Sequence, residues 1–327
     1  MVPGLPEIRI PNAYLLYFCV LISTAMPLNI PDNLPAIDVL RSENIFVMTQ
    51  TRASSQDIRP LRILILNLMP LKITTETQIL RMLSNSPLQA EITFLNTHTY
   101  TSRNTPTEHL DAFYTTFDHV CNKKFDGMIV TGAPVELMEF EEVGYWRELS
   151  MILDWAQTHV QSTFFICWAA QAALYYYYNI PKYQLPRKMF GIFHHKLLQP
   201  NFPIARGFDE EFLAPHSRHT EVRREDIEKV VELDIVVESP EAGVYLVVNR
   251  ERRQIFCTGH SEYDAGTLAG EYMRDVAKGL DIQIPKNYFR NDDPTQMPIV
   301  RWRSHAFLPF SKGLTHYSHH ESPAASI

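Results

Sequence analysis

The chain has 327 residues, 45% of them hydrophobic, which is enough apolar material for a large core and excludes a disordered chain. Its formal charge is −7 at pH 7, and its Lys and Arg residues are scattered, so no basic stripe offers itself to nucleic acid. The four cysteines (Cys19, Cys121, Cys167, Cys257) form no CxxC pair and no metal-ligand spacing. That is the pattern of free thiols in a reducing compartment, so a cytoplasmic protein without a bound metal is expected.

The first notable stretch is the apolar run 13–26, Ala-Tyr-Leu-Leu-Tyr-Phe-Cys-Val-Leu-Ile-Ser-Thr-Ala-Met. It is too short to span a bilayer. It has the length of a signal-peptide core, yet Arg9 is the only basic residue before it and no small-x-small cleavage site follows. The favoured reading is that translation begins at Met26 and that residues 1–25 are an extra segment. Residues 26–60 carry several prolines and read as an irregular arm. The main domain is expected over 61–303, and a flexible tail over 304–327.

Within the domain, 62–68 is continuously apolar after Arg62, as expected of a strand covered on both faces. Met69-Pro70 ends it, and Thr74 or Thr75 is placed to cap a helix running through Leu83. A strand follows at 91–95, a helix from 107 toward 119, and a strand at 125–132 that closes in a Gly132-Ala133-Pro134 turn. A helix over 145–160 sets Trp146, Leu149, Ile152, Leu153, Ala156 and Val160 at core spacing. Such strand–helix alternation from 62 to 175 implies parallel strands with right-handed crossovers. From 190 to 258 the pattern changes to short β-like segments at 234–237, 244–248 and 255–257, and a last helix is expected over 264–280. The tail histidines His316, His319 and His320 read as solvated rather than as metal ligands. No GxGxxG and no P-loop occurs, so no dinucleotide or nucleotide cofactor is expected.

The stretch 162–174, Ser-Thr-Phe-Phe-Ile-Cys-Trp-Ala-Ala-Gln-Ala-Ala-Leu, passes from a buried strand to an Ala-rich helix with no turn residue between them. Cys167 sits on that corner, where a helix N-terminus favours thiolate. This is the layout of a nucleophile elbow, although apolar-flanked cysteines are more often core filler. Downstream, an apolar strand ends at Gly259, and His260 and Glu262 follow two residues apart. A thiol, a base and a carboxylate at one sheet edge make a working triad, with Glu262 orienting the His260 imidazole.

Many short motifs, in order, resemble one family. They include Leu66-Asn67-Leu68-Met69-Pro70, Arg103-Asn104-Thr105-Pro106, Val130-Thr131-Gly132-Ala133-Pro134, Cys167-Trp168-Ala169, Pro215-His216-Ser217-Arg218, Thr258-Gly259-His260-Ser261-Glu262-Tyr263-Asp264 and Trp302-Arg303-Ser304-His305. The chain is similar from about Met26 to about His305 to the homoserine O-succinyltransferase family of methionine biosynthesis. That resemblance implies an α/β fold of the class I glutamine-amidotransferase-like (flavodoxin-like) type, with a mostly parallel sheet and helices on both faces. It implies Cys167 as an acyl-carrying nucleophile, His260 as general base and Glu262 as its partner, and it puts substrate contacts on Lys188, Ser217 and Arg274. The partners implied are L-homoserine and an acyl-CoA co-substrate, with no resident cofactor, no nucleic acid, no membrane and a homodimeric assembly.

Glu136 separates two versions of that activity. In the family, Gly at this position goes with succinyl-CoA and Glu with acetyl-CoA. A glutamate repels the second carboxylate of a succinyl group and is indifferent to an acetyl methyl. Acetyl transfer is therefore expected, with succinyl transfer, or a Cys-His-Glu amidase or hydrolase, as the alternatives. The backbone N–H of Trp168 is the expected oxyanion donor, with a second from the turn after Gly132. Unlike the amidotransferases, this chain has no glycine flanking the cysteine: Ile166, Trp168 and Ala169 surround it.

Overall fold

A computed structural model describes residues 29–30, 48–49, 61–84, 90–99, 104–251 and 253–310. Residues 1–25 and the tail histidines lie outside the described residues. The chain divides into two compact units, 1–59 with 87–89, and 60–86 with 90–327. Inside the first, β1 (Asn29–Ile30) pairs in parallel with β2 (Met48–Thr49), so the arm expected to be irregular holds a short strand pair.

The second unit is built on a ten-stranded sheet. Its parallel part uses β3 (Leu61–Leu66), β4 (Ala90–Leu95), β5 (Tyr114–Thr115), β6 (Gly127–Val130), β7 (Thr163–Ile166) and β12 (Gln254–Cys257) in the order β5-β4-β3-β6-β7-β12. Strands β6, β7 and β12 are buried at every position, as sequences that are apolar but for Thr163 and Gln254 at their starts lead one to expect. From β12 the sheet continues antiparallel through β11 (Gly243–Asn249), β10 (Leu233–Ser239), β8 (Tyr183–Leu197) and β9 (Glu211–Glu221). The result is a mostly parallel mixed sheet.

The helices follow their patterns. In α3 (Trp146–His159), Leu149, Ile152, Leu153 and Ala156 are buried on one stripe, one to two turns apart. In α4 (Trp168–Tyr178), every residue from Trp168 to Leu174 is buried, so this helix is interior rather than amphipathic. Asn179 ends α4 in the left-handed conformation, with its N–H returned to Leu174 and Tyr175 carbonyls. α1 (Lys72–Ser84) starts two to three residues before the threonines expected to cap it. α2 (Thr107–Phe113) stops short of 119, because Tyr114–Thr115 leave the helix to pair with β4.

Two differences from the sequence expectation matter for the site. The hairpin of β8 and β9 is far longer than the short β segments expected there, and it contains Pro186. Pairing passes from Gln184↔Thr220 to Met189↔Arg218, so 185–188 bulge out against a single residue, His219, on the partner strand. A bulge is where a strand tolerates proline, and Lys188 rides on it. The second difference is at the C-terminal end, where residues 303–310 are helical and Phe310 is buried against Phe164, with ring centroids 4.7 Å apart. Beyond the boundary expected at 303, Ala306 and Phe310 are thus buried in the core.

Candidate active site

The loops after β3, β6, β7 and β12 all leave the carboxyl ends of parallel strands, near where the chain order reverses between β3 and β6. That is where open α/β sheets bind ligands. A pocket of about 720 Å³ opens there, lined among others by Gly132, Glu136, Cys167, Lys188, Ser217, His260, Glu271 and Arg274.

Cys167 has φ 50° and ψ −111°, a left-handed conformation rare for a residue with a side chain. Such strain costs roughly 1–3 kcal/mol and persists only where surroundings impose it. Here the Cys167 N–H is held by the Cys257 carbonyl at 2.7 Å, and its own carbonyl accepts the N–H groups of Ala170 and Gln171. The corner thus places the thiol directly before the first turn of α4, where the Trp168 N–H has no earlier helical carbonyl to bond. A Cβ added at Gly132 would lie 3.4 Å from Cys167 Cβ and 3.6 Å from His260 Cε1. The glycine therefore borders both nucleophile and base.

His260 Nδ1 donates to Glu262 Oε1 at 2.7 Å, and the His260 backbone N–H is tied to Pro215 O at 2.9 Å. The Tyr263 ring stacks on the imidazole, centroids 4.1 Å apart and planes 17° apart. Burial alone would push the imidazole toward its neutral form. The charge of the Cys167 thiolate and then that of Glu262 outweigh it, with a hydrogen bond to Cys167, so the His260 pKa lies well above its ordinary value. Glu262 Oε2 is buried and bonds no described protein atom, which leaves the carboxylate charge directed at the imidazole.

The other expected site residues meet in the same pocket. Lys188 Nζ reaches Glu271 Oε2 at 3.0 Å and Asp275 Oδ2 at 3.5 Å. Ser217 donates to Glu271 Oε2, and Tyr263 donates to Glu271 Oε1 at 2.9 Å. Arg274, on α5 (Thr267–Ala277), gives its Nε and Nη2 to Asp275 at 2.7 and 3.0 Å. The guanidinium edge expected to clamp a substrate is thus occupied by Asp275, and Nη1 is the nitrogen left over. Glu136 Oε2 accepts the backbone N–H of His219, and its own carbonyl accepts Lys182 Nζ at 2.7 Å.

Sequence reading missed Glu271 and Asp275. The one available signal was their spacing from Arg274 and each other on a helix that follows the triad base. Sequence reading also missed Arg218, which is buried on β9 and bonds the carbonyls of Thr220 and Ala242 and His216 Nδ1. Burial pulls its pKa down, and the charge of the Cys167 thiolate is the strongest influence opposing that. Thr220 in turn exchanges two hydrogen bonds with Gln171, one turn into α4. Strand β9 therefore touches base, nucleophile helix and Glu136 at once. Further along the same network, His216 and His195 meet Nε2 to Nε2 at 2.9 Å, and His195 Nδ1 donates to Phe193 O. Among the described residues, no group of three His, Cys, Asp or Glu side chains is placed to hold a metal ion.

An elbow cysteine with a His–Glu partner on a mostly parallel sheet defines a class I glutamine-amidotransferase-like protein. A solved glutamine amidotransferase from Thermotoga maritima shares that fold, with TM-score 0.51 and 11% identity over 80% of this chain and all of that one. The profile of the homoserine O-succinyltransferase family matches residues 27–324, and this chain belongs to that family. The homoserine O-acetyltransferase of Bacteroides fragilis is 62% identical over 298 residues, 91% of this chain and 98% of its own. That of Acetivibrio thermocellus is equally similar over the same coverage.

Proposed function

We infer that the protein is a homoserine O-acetyltransferase: it moves an acetyl group from acetyl-CoA to the hydroxyl of L-homoserine. The observation that carries this is 62% identity, over nearly the whole chain, to relatives of that activity. The pocket supplies a chemistry to match. The Cys167 thiolate attacks the thioester carbonyl, and its negative charge passes to an oxyanion facing the Trp168 N–H. Collapse expels coenzyme A as a thiolate, which takes the proton held by the His260 imidazolium. The enzyme then carries acetyl on Cys167. His260, now neutral, removes the homoserine hydroxyl proton as that oxygen attacks the acyl carbon, and collapse returns the Cys167 thiolate and O-acetyl-L-homoserine. Lys188, Ser217 and Arg274 hold the amino acid, and Glu136 selects the acyl group.

A cytoplasmic location fits an acyl-CoA-using chain with free Cys121, Cys167 and Cys257. No described helix is long and apolar enough to cross a membrane. A homodimer is the assembly the family resemblance implies, and light scattering of the purified protein tests it.

The activity is tested by thiol release from acetyl-CoA and from succinyl-CoA, each with and without L-homoserine. Homoserine-dependent release favouring acetyl-CoA is expected. A preference for succinyl-CoA would keep the mechanism and remove the role given to Glu136. Release that ignores homoserine with both donors would replace the transferase by a hydrolase.

A further inference from the structure

Among the described residues, only two carboxylates line the pocket, Glu136 and Glu271. Glu136 is engaged by the His219 N–H. Glu271 lies beside Lys188 and one helical turn before Arg274, the two cations given to the substrate, of which Arg274 suits its carboxylate. An α-amino acid carries its ammonium and carboxylate on one carbon, so their binding partners must be neighbours. We propose that Glu271 accepts the α-ammonium group of the substrate, and so is the residue by which this site tells an amino acid from a plain hydroxy acid. The proposal rests on the homoserine reading.

The acceptor count supports it. A carboxylate offers about four lone-pair positions. Glu271 Oε2 takes Lys188 and Ser217, while Oε1 takes the Tyr263 hydroxyl. One position on Oε1 is left, on the side of the residue whose ring covers His260. Burial would favour the acid form of Glu271, but the Lys188 charge and the Ser217 hydrogen bond overcome it and hold the pKa below its usual value. The group is therefore anionic at neutral pH.

The charge count agrees. Lys188 and Arg274 face Glu271 and Asp275, so the cluster is neutral before substrate arrives. A zwitterion keeps it neutral. A hydroxy acid adds one unbalanced negative charge to a largely buried site, which is costly. Ser217 and Tyr263 then act as positioning residues that fix the Glu271 rotamer.

The test is acetyl transfer from acetyl-CoA to L-homoserine and to 4-hydroxybutanoate, which is homoserine without its amine. The readout is the ratio of the two kcat/KM values, in which any general loss of activity cancels. Glu271→Gln keeps shape and loses charge, and it is expected to shrink the preference for homoserine by about tenfold or more, chiefly through KM, since tenfold corresponds to roughly 1.4 kcal/mol. Glu271→Asp keeps the charge and is expected to retain most of the preference; should the Gln variant fail to fold, Glu271→Ala, which also removes the charge, is expected to shrink the preference as much, and an unchanged ratio there overturns the proposal. An unchanged ratio in Glu271→Gln, or equal loss of preference in the Gln and Asp variants, overturns the proposal. If wild-type enzyme acetylates neither compound, it is the homoserine reading that falls.

Discussion

The Glu136 carboxylate is bonded to the backbone N–H of His219, the residue that faces the bulge carrying Lys188. The charge proposed to select the acyl group is thus bonded to the strand that also supplies Ser217. A carboxylate held in place is set to repel the second carboxylate of a succinyl group, since like-charge juxtaposition is unfavourable. Glu136→Gly is expected to lower the kcat/KM ratio of acetyl-CoA to succinyl-CoA by about tenfold or more. Steady-state kinetics with both donors checks it, and an unchanged ratio would mean that Glu136 selects nothing.

The elevated His260 pKa is expected to depend on the nucleophile. After burial, which opposes it, the Cys167 charge is the largest influence on the imidazole. In Cys167→Ala that support is gone, and only Glu262 is left to oppose burial. The variant should lose acyl-enzyme formation entirely, and its His260 should titrate lower than in wild type by NMR. Glu262→Gln should keep the thiol and an amide oxygen that can accept from His260, but lower kcat/KM by about 10²-fold or more, because the imidazolium loses its counter-charge and the amide NH2 competes for the wrong tautomer.

Buried His195 makes stability depend on acid. Burial pushes its pKa down to about 3, against an ordinary 6.5. Between those values the unfolded chain binds a proton that the native protein refuses, so stability is full above pH 6.5 and falls as pH drops toward 3. His216 is lowered by burial as well and adds to the slope. His195→Gln is expected to lower Tm at pH 7 yet flatten the loss of Tm between pH 6 and 4 by close to one proton. Thermal melts across that range decide it, and an identical slope in variant and wild type would show that His195 is not the group responsible.

Gly191 has φ 139°, and a Cβ there would lie 2.4 Å from both the backbone nitrogen and the carbonyl oxygen of Lys286. The two segments exchange hydrogen bonds, Lys286 N–H to Phe190 O and Ile192 N–H to Lys286 O. Gly191→Ala must both strain the backbone and push the segment at 286 off β8. A destabilisation of about 2 kcal/mol or more is expected by chemical denaturation. Gly144→Ala, whose Cβ meets nothing within 4 Å, is the control and should change little.

The parts of this protein that sequence alone determined are those in which chemistry and local pattern coincide. The largely apolar strands β6, β7 and β12 had to be interior. The strand-to-helix corner at Cys167 needs no partner to be recognised, and His260 and Glu262 are two residues apart on the chain. The resemblance then carried Lys188, Ser217, Arg274 and Glu136 into one pocket. What the tertiary structure alone decided depends on long-range pairing. The 185–188 bulge exists because β8 and β9 slip register around Pro186, which no local periodicity reports. Glu271, Asp275 and Arg218 looked like ordinary charged residues, since a buried ion is distinguished only by what surrounds it. Residues 304–310 read as tail because the stretch that begins there is rich in Ser, His and Pro, and only the docking of Phe310 on Phe164 ties its start to the core.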